Sequence, residues 1–263
     1  MREIITNIVK GQVTQGSVFS GLESSFGNRC YGIVITARCD IEHAKLSKIV
    51  TLPVYRLDEW MVLYGNEEIF EKSKVDIANQ LDTLLIKYGL SYETFRVFGS
   101  SEVLKKLEAK SAKKQDLEKY ANFTSFFNDR DFSSGIKALS DNRTKYFDAL
   151  VSHSKSSAYF IEGLLGDNTE GFVIDLGEPI SLQFRVINDL DKGLHYQKYN
   201  RKKETTYKNL HLNEGESAIF YSTLLSPYIE HLLQRFSQFY SRIGTDDIDS
   251  DTYTIIKETY EKR

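Results

Sequence analysis

The sequence predicts an α+β protein: a β-barrel or small sheet at the N-terminus, a helical middle, and a C-terminal β hairpin followed by a long helix. Three observations carry that reading. Apolar, β-branched runs fill the first sixty or so residues and return at Ala158. Between them, apolar side chains recur at three- and four-residue spacing. The resulting order β, α, β, α lacks the regular strand–helix alternation of a parallel sheet.

Val13–Phe19 begins the β-rich part, and the turn formers of Glu23–Arg29 follow. Tyr31–Thr36 is apolar on both faces, the mark of a buried strand. Lys48–Tyr55 is a second such run; Pro53, which has no N–H to donate, predicts a strand end or an edge position there. Ile69, Phe70, Ile77, Leu81, Leu84, Leu85 and Tyr88 build one helical face, with Gly89 as its stop. Glu102–Tyr120 reads as a single charged helix on a narrow apolar stripe, and Arg143–Val151 as a shorter one. Ala158–Leu164 and Phe172–Leu176, joined by the turn signal Gly166–Gly171, predict a hairpin. Ile180–Val186 alternates apolar and polar residues like a half-buried strand, and Ser217–Tyr221 is a short apolar run. The last helix has Ser226 as N-cap, Pro227 at its first position, Gly244 as stop, and Ile229, Leu232, Leu233, Phe236, Tyr240 and Ile243 on its buried face. These elements group into a β-rich section 1–66, a helical section 67–155 and a β-plus-helix section 156–263. No Pro/Gly-rich linker divides them, which predicts one continuous unit.

Charge and composition exclude several classes. The 263 residues carry 34 basic and 37 acidic side chains, a net charge of −3, so a chain coated in nucleic acid is not expected, although a local patch is compatible. No apolar run is long enough to span a bilayer, and Met1–Gly11 lacks a signal-peptide core, which predicts a cytoplasmic protein without a membrane partner. Two cysteines make no disulfide framework. There is no phosphate-cradling Gly-rich loop, dinucleotide fingerprint, HExxH or GxSxG, and no cofactor is predicted.

Two segments resemble known proteins. Ile33-Val34-Ile35-Thr36-Ala37-Arg38-Cys39-Asp40-Ile41 runs a strand into Cys-Asp-Ile, and Ser226-Pro227-Tyr228-Ile229-Glu230-His231-Leu232-Leu233-Gln234-Arg235-Phe236 lies near the other end. Together they resemble a group of uncharacterised bacterial proteins of similar layout, which implies a bacterial or phage origin and assigns no activity. Over residues 11–56, Gly16-Ser17-Val18-Phe19, a loop with Arg29, the strand to Thr36 and the strand Ile49–Tyr55 look like the small barrel of PemK/MazF-type toxins. Those are ribosome-independent endoribonucleases on an SH3-like barrel. The resemblance implies that barrel here, with Arg29 and Thr36 as catalytic residues. Where the toxins have an Arg-Pro step, this chain has Arg29-Cys30.

Three further sets of residues are chemical candidates. Cys39, Asp40, Glu42 and His43 are the densest reactive group. With Asp40 as N-cap of a following helix, His43 stands one turn on and can lower the thiol pKa, or Cys39 and His43 can supply two of the ligands a metal needs. The other reading is a small buried Cys39 at a strand end, with Asp40 as an ordinary cap. Cys30 lies roughly 30 Å from Cys39 along an extended chain, too far for a disulfide. Tyr196, Lys198, Tyr199, Arg201, Lys202 and Lys203 interleave aromatic and basic groups, the combination that stacks on unpaired bases and neutralises phosphates; a solvated loop is the plainer alternative. His231, Arg235, Gln238 and Arg242 share one helical face, suited to phosphate, to an acidic partner or to plain solvent exposure.

The leading function is a non-enzymatic adaptor or regulatory subunit in a bacterial stress or antiviral defence system, binding a protein partner with nucleic acid as a second possibility. The alternatives are a PemK/MazF-like endoribonuclease using Arg29 and Thr36, and a thiol-dependent enzyme centred on Cys39.

Overall fold

Strands from both ends of the chain meet in one curled antiparallel sheet, a half-barrel with helices on both faces. The computed structural model describes residues 3–7, 11–133, 135–166, 170–241 and 249–261. The order is β1 (Ile5–Asn7), β2 (Ser17–Glu23), β3 (Arg29–Val34), α1 (Arg38–Glu42) and β4 (Lys48–Arg56). α2 (Leu57–Trp60) then passes through a π-helical turn, Met61–Gly65, into α3 (Asn66–Ile86). α4 (Tyr92–Ala109), α5 (Lys114–Asp129) and α6 (Lys137–Val151) complete the helical section. β5 (Ala158–Glu162), β6 (Gly171–Asp175) and β7 (Ile180–Gln183) follow. Then come α7 (Val186–Asp191), β8 (Leu194–His195), α8 (Tyr196–Asn200), β9 (Ser217–Ala218), β10 (Phe220–Leu224), α9 (Tyr228–Tyr240) and α10 (Ser250–Glu261).

The sheet runs β1-β10-β2-β3-β4-β6-β5, and β7 also pairs with β4; β8 and β9 form a separate small ladder. β5 and β6 are the hairpin the sequence predicts, in register from Ala158↔Asp175 to Glu162↔Gly171. Period-two alternation sorts the sheet into two cores. Val18, Ile33, Leu52 and Val54 pack on one face against Ile229 and Leu232 of α9. Phe19, Val34, Ile49 and Tyr55 pack on the other, with Ile69, Ile77, Leu81 and Leu85 of α3. Each of these large side chains contributes about 1.5–3 kcal/mol on full burial. Gly32 is required opposite Phe19, because a Cβ there would stand 2.4 Å from Phe19 Cζ.

The α3 face follows the predicted spacing, and Gly89 takes a φ of 63° just past its end. Five local expectations are corrected. Pro53 neither ends β4 nor sits on an edge strand. β7 pairs with β4 up to Thr51 and β6 pairs from Val54, so Pro53 falls in the interval between them, where no ladder bond is required. Glu102–Tyr120 is not one helix; α4 ends at Ala109 and α5 starts at Lys114, with Ser111 at a φ of 53° between. The Ile180 strand stops at Gln183, and Val186 already belongs to α7. Ser226 does not cap α9: Pro227, after a cis peptide bond, holds the N-cap position and no side chain caps the helix. Tyr240 is exposed rather than part of the buried face, and Ile243 and Gly244 lie outside the described residues.

Candidate functional site

Arg29 and Thr36 are not brought together. Arg29 opens β3 and Thr36 lies beyond its other end, roughly 20 Å away at about 3.3 Å per residue. The buried Thr36 hydroxyl accepts the Val50 N–H at 2.7 Å and so clamps the start of β4. Arg29 Nη1 lies 3.0 Å from Glu216 Oε1, while its Nε is buried without a hydrogen-bond partner.

Cys39 is exposed in the first turn of α1, so the buried-hydrophobe reading is overturned. Asp40 is not the cap: Ala37 holds the N-cap position and accepts the Asp40 N–H at 3.1 Å. The His43 N–H donates to the Cys39 carbonyl at 3.2 Å, which sets the two residues one turn apart as their spacing predicts. The thiol itself lies 3.9 Å from Asp40 Oδ1. Among the described residues no three His, Cys, Asp or Glu side chains are arranged to hold a metal ion. Both cysteines are free, and Cys30 is the buried one, its thiol pushed far up by loss of solvent.

The tyrosines of the basic stretch are core residues. Tyr199 and Tyr207 are buried, Tyr196 packs against the core, and Tyr207 donates to Asp189 Oδ2 at 2.7 Å. The Tyr199 ring is therefore closed off by apolar burial, while Tyr196 stays half-buried at the edge of the core. Lys198 is held by the same Asp189. Arg201, Lys202 and Lys203 stay on the surface, with Lys203 4.0 Å from Glu204. On α9, His231 Nδ1 stands 3.2 Å from the Tyr159 hydroxyl, and Arg235 Nη2 donates to the Lys155 carbonyl at 3.2 Å. These two contacts tie the helix to β5 and to the turn after α6. Gln238 is exposed, and Arg242 lies outside the described residues.

The structure assembles a different constellation. β4 leads directly into α2, whose start is closed by the Arg56 N–H donating to Glu59 Oε2 at 3.0 Å. The π turn inserts an extra residue into the helix, a feature often found at functional sites. It keeps Trp60 and Tyr64 turned toward the sheet, their rings 4.3 Å apart between centroids, with Tyr55 5.9 Å and 6.1 Å from them. Tyr64 donates its hydroxyl to Asp175 Oδ2 at 3.1 Å, and the Gly177 N–H donates to Oδ1 at 2.8 Å. Asp175 is 7% exposed, and burial pushes its carboxyl above the usual aspartate range against these two hydrogen bonds. Glu178 is raised in the same direction by burial, although it accepts the Ser25 N–H. Phe26, from the β2–β3 loop, sets its ring 5.5 Å from Tyr64.

Three segments thus converge: the β2–β3 loop, the π turn and the link between β6 and β7. Beside them opens a cleft of about 460 Å³ lined by Asn28, Arg29, Tyr55, Asp58, Glu59, Val62 and Leu63. Val62 is 74% exposed and Phe26 56%, large apolar side chains left in solvent. At the cleft the Arg29 Nε and the Tyr55 hydroxyl lack a partner within hydrogen-bond distance, and Asp58 and Glu59 supply negative charge. Sequence reading reached only Arg29 here. Tyr64 and Asp175 are 111 residues apart and carry no shared local pattern; Pro53, which marks where β6 gives way to β7, is the nearest signal. No family model, curated protein or solved structure matches the chain.

Proposed function

We propose that this chain is a protein-binding adaptor or regulatory subunit that takes a segment of its partner into the cleft beside the π turn. The observation that carries the reading is the exposed Val62 at a cleft that also holds Arg29, whose buried Nε has no partner, with the exposed Phe26 on the adjoining β2–β3 loop. Exposed apolar groups next to unmet polar atoms are what an interface covers and satisfies. The partner segment that fits has an apolar anchor for Val62 and Leu63, a carbonyl for Arg29, and a basic residue for Asp58 and Glu59. The curled half-barrel is compatible with the SH3-like barrel implied by the toxin resemblance, and the same resemblances are the whole basis for a bacterial defence setting. The endoribonuclease reading draws no support from the placement of Arg29 and Thr36 at opposite ends of β3.

Native mass spectrometry of the protein isolated from its own host tests the proposal. A stoichiometric protein partner held by the wild type and lost from Val62→Asp, with an unchanged circular dichroism spectrum, is the expected result. A partner retained by Val62→Asp and by Phe26→Ala, or a wild-type chain that carries no protein partner, overturns it.

A further inference from the structure

The helical section carries a second cavity, far from the sheet in sequence and unlike the first in chemistry. It is an open recess of about 490 Å³ between α3, α5 and the start of α6, a volume in the range of small-molecule sites. Its apolar lining consists of Leu84, Phe123 and Ile136, all buried. Asn79 and Asn122, from α3 and α5, contribute amides that donate and accept at once. Lys87, Lys119 and Lys137 supply three positive charges. Lys87 is partly engaged, its Nζ 3.6 Å from Asp116 Oδ1, and Asp116 is itself held low chiefly by the Tyr88 hydroxyl. Among the described residues Lys119 and Lys137 have no carboxylate within 4.0 Å, although Lys119 lies near enough to Asp116 to help hold that carboxyl low. A second hollow adjoins at Gly135–Lys137 and adds Arg143, again without an ion pair among the described residues.

Unpaired lysines by themselves describe much of any protein surface. Here they border a recess with a buried apolar lining and carboxamides, and that combination selects a ligand with three parts. An apolar flat ring fits the lining, polar ring edges meet the amides, and an anionic group neutralises the lysines. We propose that this cavity binds a nucleotide, with its ring against Leu84, Phe123 and Ile136, its base edge at Asn79 and Asn122, and its phosphates at Lys119 and Lys137. Free inorganic phosphate engages the lysines alone and binds more weakly. This site shares no residue with the cleft beside the π turn, so the two readings stand or fall separately.

Isothermal titration of the full chain with ATP, GTP, CTP and UTP, and in parallel with pyrophosphate and adenosine, tests it. At least one nucleotide is expected to saturate below about 1 mM and to bind at least about tenfold tighter than pyrophosphate or adenosine. Lys119→Ala combined with Lys137→Ala is expected to weaken it by about tenfold or more, the scale of a lost charge-assisted hydrogen bond, and Asn122→Ala by a smaller factor. Lys45→Ala with Lys48→Ala removes the same charge from an exposed surface outside the cavity and leaves the affinity unchanged. Absence of saturable binding by all four nucleotides overturns the proposal. So does equal binding of pyrophosphate, which marks a simple anion site, or equal loss in the two lysine pairs, which marks general charge attraction.

Discussion

At Asp175 a single carboxyl ties the end of β6 to the π turn, and its burial sets a pH dependence with a definite sign. Two hydrogen bonds, from Tyr64 and Gly177, favour the charged form, but desolvation outweighs them and the pKa rises above the ordinary aspartate value. The folded state then binds more protons than the unfolded one wherever the two pKa values differ. The Asp175 contribution is therefore most favourable below the ordinary aspartate range, and it is lost as pH rises through the raised folded value. Asp175→Asn removes the titration, keeps one carbonyl oxygen as acceptor for the Gly177 N–H and turns its NH2 toward the Tyr64 hydroxyl, which can accept from it. Urea unfolding of both proteins from about pH 4 to 8 should show the variant gaining stability relative to wild type as pH rises. A difference that is flat, or that slopes the other way, shows that Asp175 titrates like an ordinary exposed aspartate.

The π turn is anchored as an element by one buried hydrogen bond, from the Trp60 indole N–H to the Tyr146 hydroxyl at 2.8 Å, which joins α2 to α6. Tyr146→Phe leaves that N–H buried and unpaired, and the cost should be about 1–3 kcal/mol in chemical denaturation. Trp60→Phe with Tyr146→Phe should cost less than the sum of the single changes, because both halves of the bond are then gone; strict additivity excludes this bond as the anchor. Elements of this kind divide sharply by what the sequence reveals. The buried face of α3 and the β5–β6 hairpin were legible, because each depends on spacing within a few neighbouring residues. The place of Pro53 was not, because it is set by β6 and β7, more than a hundred residues further on. The burial of Tyr199 was not legible either, because its polar neighbours in sequence hide a ring that packs inward. The cleft was almost wholly illegible: its residues come from a loop, a strand and an irregular helical turn, and only the curl of the sheet brings them to one place.

At the scale of the molecule, the topology forces the two ends of the chain to fold together. β10 lies between β1 and β2, and β6 and β7 pair along β4, so the sheet is incomplete without strands from both sides of the helical section. That section is not a free appendage either. It covers the sheet face of Phe19, Val34 and Tyr55, and Trp60 sits at the junction, buried between Tyr55 of the sheet and Tyr146 of α6. Trp60 is the single tryptophan of the chain and so reports on that junction alone, whereas far-UV circular dichroism reports on all helices and strands. If junction and body form one cooperative unit, tryptophan fluorescence and circular dichroism should trace the same urea transition, with the same midpoint and slope. A fluorescence transition at lower urea than the dichroism signal would mean that the helical section separates from the sheet before either part unfolds. It would also make the cleft beside the π turn the place where the molecule first opens, since Tyr64 and Val62 belong to the segment that would leave.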